Sequence, residues 1–353
     1  MPKQTVLKKN LSSLGIDGIL ITDLKNVRYL TGFTGSSGFS LITKKNSVFI
    51  TDFRYKEQAK TEVKGFSIKI ERDERTETIK KLVKKYAIKK LGFEGNSVSY
   101  SMYNNLLKKK IKLKALTDTV EDMRLIKSPE EIGLIKTAVK RAENAFLKLL
   151  PFIKAGATEQ KLAIKLEELL KKEGCKTMPF GVIVASGQMS ALPHAQPSSR
   201  VIKKGDVVLF DWGGECGGYF SDMTRMAVLK GRHLRKQSEI YSIALEAQNR
   251  AVNSVRPGIK SADIDAAARN YIKKNGYDSY FGHGTGHGIG LEIHEKPVIS
   301  WRNKTRIKRG MVFTVEPGIY LPGFGGVRIE DIVAVTEDGA EVLTTLPRNL
   351  III

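Results

Sequence analysis

Four carboxylates and a group of histidines have the types and spacing for hydrolytic chemistry. The stretch "DVVLFDWGGECGGYFSDMTRMAVL" (206–229) reads as a β-hairpin turning at Gly213, Gly214, Gly217 and Gly218. Asp211 and Asp222 lie symmetrically about its middle, where the two strands can set them face to face. The stretch "MVFTVEPGIYLPGFGGVRIEDIVAV" (311–335) repeats the layout, with a turn near Pro322–Gly326 flanked by Glu316 and Glu330. Glu316 follows Asp211 by 105 residues and Glu330 follows Asp222 by 108. Asp211 ends the apolar run "VVLF", and Glu330 sits between "VRI" and "DIVAV". Burying an unpaired carboxylate is costly, so such groups pair or bind metal. Four that converge repel one another, and two divalent cations would cancel the repulsion. Four carboxylates and one histidine form an oxygen-rich set, which suits Mn²⁺ or another hard to borderline ion better than a thiolate-type zinc site would. Cations held this way lower the pKa of a water between them and make it a nucleophile near neutral pH.

Three of the five histidines lie in "FGHGTGHGIGLEIHE" (281–295). His283 and His287 are four apart, the spacing of a two-histidine zinc helix. That reading fails, because Gly282, Gly284, Gly286, Gly288 and Gly290 alternate through the segment. Each costs a helix about 1 kcal/mol relative to alanine. No Glu follows the first His to serve as the base of a zinc-protease helix. The segment reads as a glycine-rich loop leading into a short strand, Ile289 to His294, and its residues alone leave open which histidine meets a metal.

The elements that must position these groups fall into two parts. Residues 1–122 read as a small α/β domain, with strands in "GIDGILIT", "GFSLIT", "SVFITD" and "KKLGFEG" and a helix in "ERTETIKKLVKKYA". Residues 123–353 form the second part. Ser128 as N-cap, Pro129 at the first helical position and Glu131 three residues on predict a long helix to about Leu150. "AGATEQKLAIKLEELLKKEG" (155–174) resembles "PGIKSADIDAAARNYIKKNG" (257–276), each reading as a Thr or Ser N-cap, an amphipathic helix and a closing Gly. Each copy follows a long helix and precedes a β-rich segment. The carboxylate offsets match this period, so the second part reads as two similar α+β halves, each contributing one carboxylate pair.

Composition narrows the class. With 41% apolar residues among 353, the chain can bury a substantial core. No apolar run approaches a membrane span, and the N-terminus lacks an apolar signal core. Two cysteines, Cys175 and Cys216, make a poor disulfide framework. A cytoplasmic protein with no membrane partner is expected. The net charge of +22 is concentrated at the front, where residues 1–127 carry 27 Lys+Arg against 13 Asp+Glu. The excess is mostly lysine on apparent polar faces, without aromatic residues to stack on bases. Solvated surface explains it better than nucleic acid.

The motifs "DWGG", "SDMTR", "HGTGHGIGLEIHE", "TVEPGIY" and "VRIED" resemble, in order and spacing, those of the pita-bread metallopeptidases. "NVRYLTGFTGSSG" and "TDFRY" resemble the creatinase-like N-terminal domain of the proline-specific branch. The resemblance implies an α/β creatinase-like domain before an α+β pita-bread domain with an internal pseudo-twofold. It implies a metal site of Asp211, Asp222, His287, Glu316 and Glu330, with Asp222 and Glu330 bridging two ions, Mn²⁺ first and Co²⁺ or Zn²⁺ as alternatives. Glu316 also becomes the general base. His294, His283 and His194 then face the substrate, and Arg328 orients the bridging carboxylates. His233, in "KGRHLRKQ", stays outside the site. The expected activity is release of an N-terminal residue from proline-containing peptides, by an Xaa-Pro aminopeptidase acting as a homodimer, with "GFTGSSG" (32–38) a candidate loop toward the partner. Methionine aminopeptidase usually lacks the N-terminal domain, and creatinase lacks the carboxylate ligands. Prolidase is the closer rival. Some prolidases hold the dipeptide carboxylate with an Arg just after the "HE.P" segment, where this chain has Val298 in "HEKPVIS". A non-catalytic pita-bread binding module, for nucleic acid or proteins, would be expected to have lost ligands that this chain keeps.

Overall fold

The computed structural model describes residues 1–353. The chain divides into two compact units, Met1–Arg124 and Leu125–Ile353. In the first, six strands, β1 (Gly18–Ile21), β2 (Phe39–Thr43), β3 (Ser47–Thr51), β4 (Ser67–Ile70), β5 (Leu91–Glu94) and β6 (Leu113–Leu116), form one sheet ordered β4-β3-β2-β1-β5-β6. Its central strands are buried along their whole length, as expected where helices cover both faces. Those helices are α1 (Lys3–Asn10), α2 (Leu24–Thr31), α3 (Lys56–Glu62), α4 (Arg75–Lys85), α5 (Tyr100–Lys108) and the single turn α6 (Glu121–Arg124). The unit extends to Arg124 because that buried guanidinium donates to Asn26 Oδ1 at 2.9 Å.

The second unit opens with α7 (Pro129–Leu149), started by the full capping box of Ser128 and Glu131. Then come α8 (Glu159–Lys172), β7 (Ile183–Ser186), β8 (Val207–Trp212), the two-residue strands β9 (Glu215–Cys216) and β10 (Tyr219–Phe220), and β11 (Met223–Val228). The second half follows the same order with α9 (Leu234–Ser254), α10 (Ser261–Lys274), β12 (Gly286–Gly288), β13 (Glu295–Ile299), β14 (Val312–Val315), β15 (Gly318–Leu321), β16 (Gly325–Arg328), β17 (Asp331–Val335) and β18 (Ala340–Val342). A short β19 (Ile351–Ile352) returns to pair with β11. The larger sheets are ordered β19-β11-β8-β7 and β13-β12-β14-β17-β18. A single bridge, Thr224 to Glu330, joins them. One apolar core runs through both halves, from Leu209 and Met226 on one sheet to Phe313 and Val333 on the other, under α9 and α10. The duplicated α+β layout expected from the sequence is therefore the observed architecture.

Two local expectations are corrected. Residues 289–294 are not a strand. The chain reverses there, and Gly288 pairs with Glu295 through a register shift after His287. A Cβ on Gly288 would lie 2.0 Å from the Lys296 carbonyl oxygen, so the turn closes too tightly for any other residue. Ser261 is not an N-cap either. Lys260 takes that place, and the Ser261 hydroxyl donates to the Val298 carbonyl, tying α10 to β13.

Candidate metal centre and peptide pocket

Asp211 lies near the end of β8, opposite Thr224 of β11 and Ile183 of β7. Asp222 lies one residue before β11, Glu316 one residue after β14, and Glu330 between β16 and β17. His287 is the middle residue of β12. The two half-sheets thus place the four carboxylates at or beside strand ends and His287 within a strand, and all five line one cavity of about 400 Å³. Ligand atoms of Asp222, His287 and Glu330 come within 4.8 Å of one another. His287 Nε2 is 3.6 Å from Asp222 Oδ2 and 3.4 Å from Glu316 Oε1.

The electrostatics are those of a site built to be completed by cations. Burial, then the charges of Glu330 and Asp211, holds the Asp222 carboxyl well above the usual carboxylate range. Burial and the neighbouring charges of Glu316 and Asp211 do the same to Glu330, and burial raises Glu316. Asp211 Oδ1 and Asp222 Oδ1 are buried without a hydrogen-bond partner. Unsatisfied buried oxygens of this kind are rare and call for an explanation. His287 gives a second sign. Its Nδ1 faces the Gly288 carbonyl at 3.1 Å and so carries the proton. Burial lowers its pKa, keeping the ring neutral. The Nε2 lone pair is then aimed at two carboxylates, acceptor against acceptor, an arrangement a cation resolves. The residues present fit divalent metal, and the donor set lacks thiolate.

Hydrogen bonds from neighbouring threonines hold two of the carboxylates. Thr224 Oγ1 donates to Glu330 Oε2 at 2.7 Å, and Thr314 Oγ1 to Glu316 Oε1 at 3.2 Å. Arg328, 3% exposed, pairs with Asp211 Oδ2 at 2.5 Å and donates to Thr224 Oγ1 and Tyr320 OH. It therefore contacts Asp211 directly and reaches Glu330 only through Thr224.

The other histidines separate by their contacts. His283 has both ring nitrogens engaged, Nδ1 with the Gly284 carbonyl and Nε2 with Tyr320 OH at 2.9 Å. His294 and His194 are exposed on the cavity wall, and the His294 ring lies 4.2 Å from the His287 ring at 68°. His233 lies apart, edge-on to Phe324 and bonded to Arg232. Sequence reasoning did not single out Thr224, Thr314 or Tyr320. The two threonines lie two residues from a carboxylate of the set, a spacing that strand alternation makes meaningful.

Gly286 sets how closely β12 approaches β14, since a Cβ there would lie 1.9 Å from the Thr314 carbonyl oxygen. Gly286→Ala is expected to destabilise the protein by about 3 kcal/mol and to weaken metal binding by displacing His287. Denaturant unfolding and metal titration check both.

Comparison with known proteins agrees along the whole chain. Residues 133–337 match metallopeptidase family M24, and residues 5–126 match the Creatinase/Prolidase N-terminal domain. The chain is 41% identical over 350 residues to the Xaa-Pro dipeptidase of Pyrococcus furiosus, covering 98% of each. The solved Xaa-Pro dipeptidase from Bacillus anthracis is 44% identical, with a TM-score of 0.97 and 99% of each chain covered. The X-Pro aminopeptidase from Thermotoga maritima is 39% identical, with a TM-score of 0.90, covering 98% of this chain and 100% of that one.

Proposed function

Because the chain belongs to metallopeptidase family M24, with a creatinase/prolidase N-terminal domain, we propose that it hydrolyses the bond between an N-terminal residue and a following proline. The observation that carries this reading is the five-residue cluster at the floor of a peptide-sized cavity with three histidines on its wall. Asp211, Asp222, His287, Glu316 and Glu330 would hold two divalent cations, with Asp222 and Glu330 shared. Bound there, the ions supply Lewis acidity, activating a water at neutral pH and polarising the scissile carbonyl. The protein does the rest. Glu316 takes the proton of the attacking water. His294 hydrogen-bonds the carbonyl oxygen as charge develops. His194 delivers a proton to the leaving proline nitrogen. His283, whose ring nitrogens are held by the Gly284 carbonyl and Tyr320 OH, shapes the substrate side of the cavity and relays no proton. An Xaa–Pro bond offers no N–H, so a site that asks for no donor from the scissile nitrogen suits it. Mn²⁺ is the proposed native ion, and reconstitution of chelated protein is expected to recover more activity with Mn²⁺ than with Zn²⁺.

We propose further that peptides longer than two residues are accepted. Arg328 is the only arginine or lysine lining the cavity, and Asp211 already engages it. Val298, half exposed at the wall, offers nothing to a dipeptide carboxylate. Dipeptide restriction is the second reading, favoured by the relatives named Xaa-Pro dipeptidase. Comparison of kcat/KM for Xaa-Pro and Xaa-Pro-Xaa decides between them; strong preference for the dipeptide overturns the first. Val298→Arg is expected to shift that ratio toward the dipeptide by about tenfold, the worth of one modest ion pair of about 1.4 kcal/mol.

A further inference from the structure

The turn that carries His294 has a charged anchor beneath it. Lys127 Nζ meets Glu295 Oε1 at 2.6 Å, with the two side chains 2% and 9% exposed. A buried ion pair is poor evidence of a stability role, because apolar residues of the same volume often serve as well. What a buried pair supplies is a fixed position for both partners. Lys127 is itself held by its backbone N–H on the Gly310 carbonyl. Glu295 directly follows His294, and its carboxylate fills the space above Gly290, where a Cβ would lie 2.5 Å from Oε1. The Gly290 carbonyl accepts from Phe220 N at 2.9 Å, two residues before Asp222. Glu295 thus closes the 288–295 reversal from inside while Lys127 holds it from below. The His294 ring has no hydrogen bond of its own to a protein group, and its described neighbour is the His287 ring. Its placement is set by the backbone it hangs from.

We propose that the Lys127–Glu295 pair is the positioning device for His294, acting on turnover through that ring and not through the metal ligands. The proposal rests on reading His294 as a substrate contact. In the metal-loaded full chain, Lys127→Met lowers kcat on an Xaa-Pro peptide about 30-fold, as loss of such supporting contacts does. KM and the metal affinity from calorimetry stay within about threefold, the pattern of an interaction made in the transition state. In a His294→Ala background the same substitution costs less than about threefold, because the residue it acts through is gone. Hydrogen exchange reads the anchor without reference to activity: amides of 288–296 lose protection while β8 and β11 keep theirs. Glu295→Gln, which preserves shape, gives the same pattern if Lys127→Met fails to fold. An equal loss of kcat in the His294→Ala background, a loss that follows metal affinity, or unchanged kcat overturns the proposal. A wild-type protein without Xaa-Pro turnover would instead remove the functional reading, and the exchange experiment would still test the anchor.

Discussion

Asp222→Asn is expected to abolish peptidase turnover, roughly a thousandfold or more, while raising the melting temperature of the metal-free protein by roughly 5 °C. The two effects have one cause. Asp222 is 5% exposed, lacks a partner at Oδ1, and has three carboxylates for neighbours. Without cations its charge is opposed by burial and by Glu330, Asp211 and Glu316. An amide of the same shape removes that opposition and also removes the proposed shared ligand. The opposite signs separate loss of a ligand from loss of the fold, which would lower both quantities. Retained turnover, or a lowered metal-free melting temperature, would defeat the two-cation reading.

The same groups give the chelated protein a pH dependence of definite sign. Asp222 and Glu330 are raised in the folded state from ordinary values of 3.8 and 4.5. The folded chain therefore binds protons more tightly than the unfolded one. Their contribution to stability is present below those ordinary values and is lost as pH rises through the raised ones. Metal-free protein is expected to lose stability from about pH 4 toward neutrality, and the stabilisation gained on adding Mn²⁺ grows over the same range. Melting curves with chelator and with metal measure both, and Asp222→Asn flattens the metal-free slope.

Much of this was legible in the sequence because two signals reinforced each other. The apolar strands around Asp211 and Glu330 marked carboxylates in places where burial demands a partner. The repeat of helix pair and hairpin implied two matching halves. The failures were contacts that local pattern does not carry. Ser261 has the type and place of an N-cap, but its hydroxyl is drawn to the Val298 carbonyl, a partner 37 residues away. The 289–294 segment alternates like a strand, yet the packing of Gly288 on Lys296 and Gly290 on Glu295 folds it back. Lys127 looked like one more surface lysine in a chain of net charge +22, and it is 2% exposed on a buried carboxylate. Tyr320 lies between Arg328 and His283 through a hairpin register that a sequence does not print.

Arg225→Met is expected to cost about 4 kcal/mol of stability. Arg225 is 1% exposed, and its guanidinium donates to the carbonyls of Thr224, Glu330, Leu346 and Pro347 and to Asp331 Oδ1 at 2.7 Å. Methionine has similar reach but takes the guanidinium donors away from the Glu330, Leu346 and Pro347 carbonyls, and losing buried hydrogen bonds is expensive. Asp331, fully buried, retains Arg348, Gln248 and Thr344, so its charge is not abandoned. This keeps the loss finite and the fold attainable. Arg348 is the control. It pairs with the same carboxylate at 2.7 Å, but its side chain is 27% exposed, and its removal is expected to cost about 1 kcal/mol. Arg225→Lys does not rescue, because an ammonium cannot span carbonyls on three segments. Since one of those carbonyls belongs to Glu330, metal affinity should fall for Arg225→Met and hold for Arg348→Met. Equal unfolding costs for the two variants in urea would show that the guanidinium contacts behind Glu330 do not act as a unit.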